Sequence, residues 1–260
     1  MTALDLINDL AARGRYHFTT ERAAACLGSS VVAARAALRR LQHKGLIAMP
    51  YRGFYVIVPP EYRRLRCLPA DQFVPQLMEH LGLDYYAALL TAARYHGAAH
   101  QQPQVFQVMA AKNRPAIACG EVRVAFAARR NAADIPTQRF NTPRGHVVVS
   151  TPEATAFDLV GYPQRAGGIH NVATVLSEVA EVLDPALLAS LAPLSPVPWA
   201  QRLGYILEQV GAAAKTEPLA QYVDGLVNES TALVPSSSAN GAPYDARWRL
   251  SANVQVEPDL

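Results

Sequence analysis

Between Arg22 and Pro60 the chain carries Arg35, Arg39, Arg40, Lys44 and Arg52 and not one Asp or Glu. Cations gathered without counter-charge suit a polyanion: they can neutralise backbone phosphates, and a guanidinium can pair with the O6/N7 edge of guanine. Ser29, Ser30 and Ala33 stand just before the cations, and small hydroxyls and methyls can approach base edges and thymine methyls. Tyr51 and Arg52 fall beside Gly53 in a turn-forming stretch, where Arg52 could enter a minor groove and Tyr51 could touch the backbone. Arg63 and Arg64 follow in the next segment and serve equally well as further phosphate contacts or as solvating charge; Arg66 is read as solvating. The candidate DNA-binding residues are therefore Ser29, Ser30, Ala33, Arg39, Arg40, Lys44, Tyr51, Arg52, Arg63 and Arg64.

Other chemistries find little support. His96 and His100 have the i, i+4 spacing of a zinc-protease helix, but Gly97 stands where the essential Glu belongs and would break that helix. Glu121 and Arg123 alternate on a strand-like run without a second carboxylate to share a metal, so surface charge is the better account. Glu153 and Asp158 would point about 140° apart on one helix at about 100° per residue, which disfavours a metal pair. No G-x-S-x-G elbow, Walker A loop or G-x-G-x-x-G loop occurs. Cys26, Cys67 and Cys119 are widely spaced and odd in number, which argues for a reducing compartment and against a zinc site or disulfide framework. No catalytic residue, metal or cofactor is expected.

The cations need elements to hold them, and the sequence supplies a recognisable order. Leu4, Ile7, Leu10 and Ala11 give an amphipathic helix over 3–12. Thr19 or Thr20 can cap a short helix over about 20–27 that Gly28 ends. Ser29 or Ser30 caps a third, to about Lys44, closed by Gly45. In that third helix Val31, Ala34, Leu38 and Leu41 should pack inward, with Ser29, Ala33, Ala36, Arg40 and His43 opposite and Val32, Arg39 and Lys44 beside them. Strand-like runs at 46–48 and 54–58 flank the turn containing Pro50, Arg52 and Gly53. Helix, turn, helix and hairpin in this order describe a winged helix-turn-helix.

Pro59-Pro60 opens a connector, and the composition changes beyond it. Residues 1–68 carry 11 Lys/Arg against four Asp/Glu, so the whole-chain charge of +3 splits into +7 there and −4 in the remainder. A basic reader fused to a different module fits that asymmetry. Residues 71–81, 85–96, 151–161, 169–183, 185–191, 198–210 and 217–226 look helical, with Tyr85, Tyr86 and Tyr95 as core residues of the second. Residues 104–110, 121–127, 145–150 and 247–254 look like strands. Thr151-Pro152-Glu153 is a clear helix start. The expected fold class is α+β: a winged helix-turn-helix with connector over 1–68, then a larger mixed α/β domain over 69–260, long enough for two lobes. The N-terminus lacks the pattern of a signal peptide and no run is long and apolar enough to span a membrane, so a cytoplasmic protein is expected.

Five segments in order carry a resemblance. They are the winged-helix start, YYAALLTAARYHGAAHQQPQVFQVM at 85–109, STPEATAFDLVGYP at 150–163, GGIHNVATVLSEV at 167–179 and WRLSANVQVEPD at 248–259. Together they resemble the AbiEi antitoxins, the regulatory half of bacterial type IV toxin–antitoxin modules of the abortive-infection type. The resemblance implies double-stranded DNA of the operon's own promoter repeats as one partner, read by residues 30–44 and 51–53. Winged helices often use repeated half-sites and one chain carries one reading helix, so two copies on DNA are expected. It implies functional opposition to a cognate nucleotidyltransferase toxin as the second role. It supplies no catalytic motif. One internal check separates this chain from the toxin: that enzyme needs Gly-Ser followed by paired aspartates, and after Gly28-Ser29 no acid occurs until Glu61. A winged-helix transcription factor whose second domain senses a ligand or partner, with no toxin, is the alternative.

Overall fold

A computed structural model describes residues 1–98, 104–226 and 229–257. The chain begins with α1 (Ala3–Ala12), β1 (His17–Thr19), α2 (Thr20–Leu27), α3 (Val31–His43), β2 (Ile47–Tyr51) and β3 (Phe54–Ile57). Each helix boundary has a local cause. Thr2, Thr19 and Ser30 accept the N–H groups of Asp5, Arg22 and Ala33 as N-caps, and Gly28 closes α2 in the left-handed conformation at φ 60° that favours glycine. The three strands form a sheet in the order β1-β3-β2, and β1 is a strand that sequence periodicity did not reveal, being only three residues long. Pro50, which lacks an N–H, sits where the β2–β3 register shifts between Ala48 and Tyr51, on the edge strand.

The central strand explains much of the surrounding architecture. All four residues of β3 are buried, and alternate ones serve different cores. Tyr55 and Ile57 face a helical core with Leu6, Ile7, Leu10, Phe18, Ala23, Leu38 and Leu41. Phe54, Val56 and Val58 face a second core with Cys67, Leu68, Phe73, Val74, Leu77, Val108, Val124 and Phe126. Burial on both faces is why this segment reads as an unbroken apolar run.

The next elements are α4 (Val74–His80), β4 (Tyr85–Ala87), α5 (Leu89–Tyr95), β5 (Phe106–Ala110), β6 (Ile117–Cys119), β7 (Val122–Ala128), β8 (Thr137–Thr142) and β9 (Gly145–Ser150). They include a six-stranded sheet in the order β6-β7-β5-β4-β9-β8, with β5 parallel to β7, β6 antiparallel to β7, and Ala87 of β4 opposite Val149 of β9 in parallel. The helix expected over 85–96 is corrected here. Tyr85–Ala87 is a strand, Leu89 turns the backbone at φ 54°, and only Leu89–Tyr95 is helical. A short apolar run cannot tell a buried strand from a helix by periodicity, and here pairing with β9 decided it. Tyr86 is core as expected but on a strand, whereas Tyr95 is half-buried. The helix expected over 71–81 is a 3-10 turn at Ala70–Gln72 followed by α4. Strands β6 and β8 were not anticipated.

The remaining elements are α6 (Pro152–Gly161), α7 (Ile169–Val179), α8 (Pro185–Leu191), α9 (Val197–Gln209), α10 (Glu217–Leu226) and the short strands β10 (Thr231–Ala232), β11 (Tyr244–Asp245) and β12 (Leu250–Ser251). Thr151 caps α6 and Pro152 opens it, as the sequence indicates. All residues from Glu153 to Val160 are buried, because α6 packs against α5, α7, α8 and α9. Helix α7 stops at Val179, and the strand expected over 247–254 contracts to Leu250–Ser251.

The chain forms two compact units. The first comprises Met1–Tyr86, Gln104–Ala133 and Arg139–Val148, and the second the other described residues. No unit boundary falls at residue 68, because the far face of the winged-helix sheet is covered by core residues from 67–78 and 108–126 of the same unit. The fold is mixed α+β, with a winged-helix N-terminal region and a larger mixed remainder. Among the described residues no helix is long and apolar enough to cross a membrane.

Candidate nucleic-acid interface

Helix α3 presents its candidates as expected in all but one respect. Ala34, Leu38 and Leu41 are buried, which leaves Ala33, Arg35, Ala36, Arg39, Arg40 and His43 in solvent. Val31, expected inside, is 38% exposed, because the helix begins there and the core extends only as far as Ala34. Ser30 accepts the Ala33 N–H at 3.2 Å, and the Ser29 hydroxyl donates to the Ser30 carbonyl at 3.5 Å. Both serines therefore shape the entry to the helix. Arg40 lies in the last turn and Lys44 at the C-cap, where the helix dipole favours positive charge. Among the described residues Arg39, Arg40, Lys44 and Arg52 enter no ion pair, so their charges face solvent uncompensated.

The hairpin turn is tight: Tyr51 pairs with Phe54, leaving Arg52 and Gly53 as its tip, with Gly53 at φ 80°. The Thr20 N–H donates to the Gly53 carbonyl at 2.9 Å and ties the tip to the start of α2. Arg52 is exposed and free to extend. The Tyr51 ring lies 5.9 Å beneath the guanidinium of Arg114, a residue of the β5–β6 loop that sequence reading missed. Nothing local signals it, since only folding brings the loop to the wing. Arg63 donates from Nε to the Val58 carbonyl at 3.3 Å, which holds it against the exit of β3, while Arg64 is exposed on the connector.

A cleft of about 590 Å³ adjoins the first turn of α2, with Arg15, His17, Arg22, Glu79 and His80 among its walls. The His17 ring stacks on Phe54 at 5.8 Å. Burial holds the His17 imidazole below its ordinary value, against the opposing pull of Glu79.

The residues weighed for other chemistry have structural employment. His96 Nε2 lies 2.6 Å from the Ser150 carbonyl oxygen, and His100 is outside the described residues. The Glu153 carboxylate accepts the Asp184 N–H at 3.1 Å, joining α6 to the start of α8. Arg123 folds back to donate to the Gly120 carbonyl at 2.7 Å, beside an exposed Glu121. Among the described residues no group of three or more His, Cys, Asp or Glu is placed to hold a metal ion.

The winged-helix region thus presents an exposed α3 face with cations and no carboxylate, and it is joined to a larger α+β region. Residues 5–58 match the family described as "Transcriptional regulator, AbiEi antitoxin", and residues 86–209 match "AbiEi antitoxin C-terminal domain". The chain belongs to the AbiEi antitoxin family. Its fold is similar to that of the RV2827C protein from Mycobacterium tuberculosis, with a TM-score of 0.68 at 19% identity over 94% of this chain and 89% of that one. An antigenic nucleotidyltransferase-like protein from Paracoccidioides brasiliensis aligns over 61% of this chain and 92% of its own. At 11% identity its TM-score of 0.39 is too low to define a shared fold. No curated protein matches the sequence.

Proposed function

We propose that this protein is a DNA-binding antitoxin that represses its own operon and counteracts a nucleotidyltransferase toxin encoded beside it. The observation that carries the DNA half is the exposed face of α3, where Arg39, Arg40 and Lys44 stand without a carboxylate partner. Base edges would meet the N-terminal half of α3, and phosphates would meet Arg39, Arg40, Lys44 and the wing-tip Arg52. Ser29, Ser30, Ala33 and Tyr51 complete the contact surface, with Arg64 and the tethered Arg63 at its margin. One chain carries one reading helix, so repeated half-sites are served by two copies on DNA. Functionally, residues 1–68 read the promoter and residues 69–260 oppose the toxin, even though the two stretches share a core. The protein acts in the cytoplasm and catalyses no reaction.

Family membership supports the antitoxin half. Co-expression tests it: the neighbouring gene should arrest growth alone and fail to do so with this chain. A neighbour without toxicity, or arrest that this chain does not relieve, overturns that half. Electrophoretic shifts on the chain's own promoter test the other half, and shifts unchanged by Arg40→Ala and Arg52→Ala together would refute the docking. One observation favours the alternative of a regulator with a ligand-sensing second domain. A cavity of about 490 Å³ lined by Pro163, Ile169, His170, Leu233, Val234 and Val254 has the size of a small-molecule site.

A further inference from the structure

Val32 is 75% exposed, the highest value among the large hydrophobic side chains described, and Val31 beside it is 38% exposed. Both occupy the first turn of α3, the part of a reading helix that ordinarily meets base edges. A β-branched residue is a mediocre choice for a solvated helix start, and its restricted χ1 holds its methyls in one place. Exposed methyls held rigidly are therefore suited to an apolar partner. The helix face they belong to limits what that partner can be. At i+3, i+4, i+7 and i+11 from Val32 stand Arg35, Ala36, Arg39 and His43, all exposed on the same stripe. An apolar patch continuous with exposed arginines that form no ion pair among the described residues fits a polyanion that carries its own methyl groups. A second copy of this chain would set like charges against each other.

We propose that Val31 and Val32 read thymine C5-methyl groups in the major groove, so that the positions they meet in the bound site are T·A pairs. This rests on the reading of α3 as the DNA-contacting helix. The chemistry at the helix start leaves few other means of base discrimination. The Ser30 hydroxyl caps the helix by accepting the Ala33 N–H, and the Ser29 hydroxyl donates to the Ser30 carbonyl. No Asn, Gln, Asp or Glu occurs from Ser29 to Leu41, so the bidentate pairing with adenine and acceptance from cytosine are both missing there. What remains for the first turn to recognise is the methyl that thymine alone presents.

The test uses the full chain and a duplex enriched by it from a randomised library. That duplex is remade with deoxyuridine in place of every thymidine, which removes the methyl and changes nothing else on the pairing edges. Binding should weaken by roughly fourfold for each methyl contacted. Val31→Ala with Val32→Ala should bind the two duplexes alike, whereas Arg40→Ala should weaken both and keep their ratio. Because both valines are exposed, thermal melting of the double variant should match the parent and exclude misfolding. Equal affinity of the parent for the thymidine and deoxyuridine duplexes would overturn the inference while leaving the DNA reading intact. No enrichment and no duplex binding would overturn both. A helix-face variant that loses an acidic protein partner while its duplex binding is unchanged would assign the patch to that protein and overturn the inference.

Discussion

Substituting Arg39 and Arg40 together by Ala removes two exposed charges from α3 without touching its buried face of Ala34, Leu38 and Leu41. Neither arginine enters an ion pair among the described residues, and Ala is a good helix former, so stability should change by no more than about 0.5 kcal/mol. Each phosphate contact contributes a slope of about −0.9 to log Kobs against log salt, so losing two should flatten that slope by about 1.8. Between about 50 and about 200 mM salt the parent should then lose roughly tenfold more affinity than the variant. The defect is therefore largest in dilute salt and narrows as salt rises. Fluorescence anisotropy with a promoter duplex across that range measures it, with melting curves recorded alongside. Parallel salt dependences for parent and variant would show that neither arginine meets a phosphate. A large drop in melting temperature would show that the helix depends on them structurally.

Three further outcomes follow from the packing. Leu38→Ala, at a fully buried site in the core that holds Leu6, Phe18 and Ile57, should cost about 2–5 kcal/mol in urea unfolding, and a cost below about 1 kcal/mol would contradict the packing of α3. Gly204→Ala would drive a methyl into the Trp248 ring, which is fully buried, so a loss of about 1–3 kcal/mol is expected, and neutral melting would refute that close approach. His17 and His96 are both held below the ordinary imidazole value, chiefly by burial, opposed at His96 by its bond to the Ser150 carbonyl. Between their folded values and about 6.5 the unfolded chain binds more protons, so their stabilisation is complete above about pH 6.5 and is lost on acidification. Urea midpoints from about pH 7.5 to about pH 5 should fall, less steeply in His17→Gln, and a rise would contradict the sign.

The N-terminal reader was legible because its signals are local. Thr19, Gly28 and Ser30 act within a turn of their own positions, and a run of cations without carboxylates is a property of composition. The same holds for Thr151-Pro152, which opens α6 where the sequence indicates. Misread elements were short and apolar. Tyr85–Ala87 carries the same residue types as the start of a buried helix, and the pairing of Ala87 with Val149 across the sheet is a long-range event. Candidate residues divide in the same way. The exposure of Arg39, Arg40 and Arg52 follows from helix phase and turn position, whereas the tether of Arg63 to Val58 and the approach of Arg114 to Tyr51 depend on folded neighbours.

The sequence by itself determined that this chain begins with a capped helix-turn-helix and a hairpin, that its third helix is cationic, and that its later segments resemble an antitoxin family. These follow from interactions spanning a few residues, or from charge that needs no fold to be counted. Only the tertiary structure decided that β3 serves two cores at once. That arrangement draws residues 67–86 and 104–126 into the compact unit of the winged helix, because a strand flanked on both faces must have both covered. It also decided that Val31 stays in solvent, since the depth of a core is set by what packs beneath the helix rather than by the helix's own periodicity.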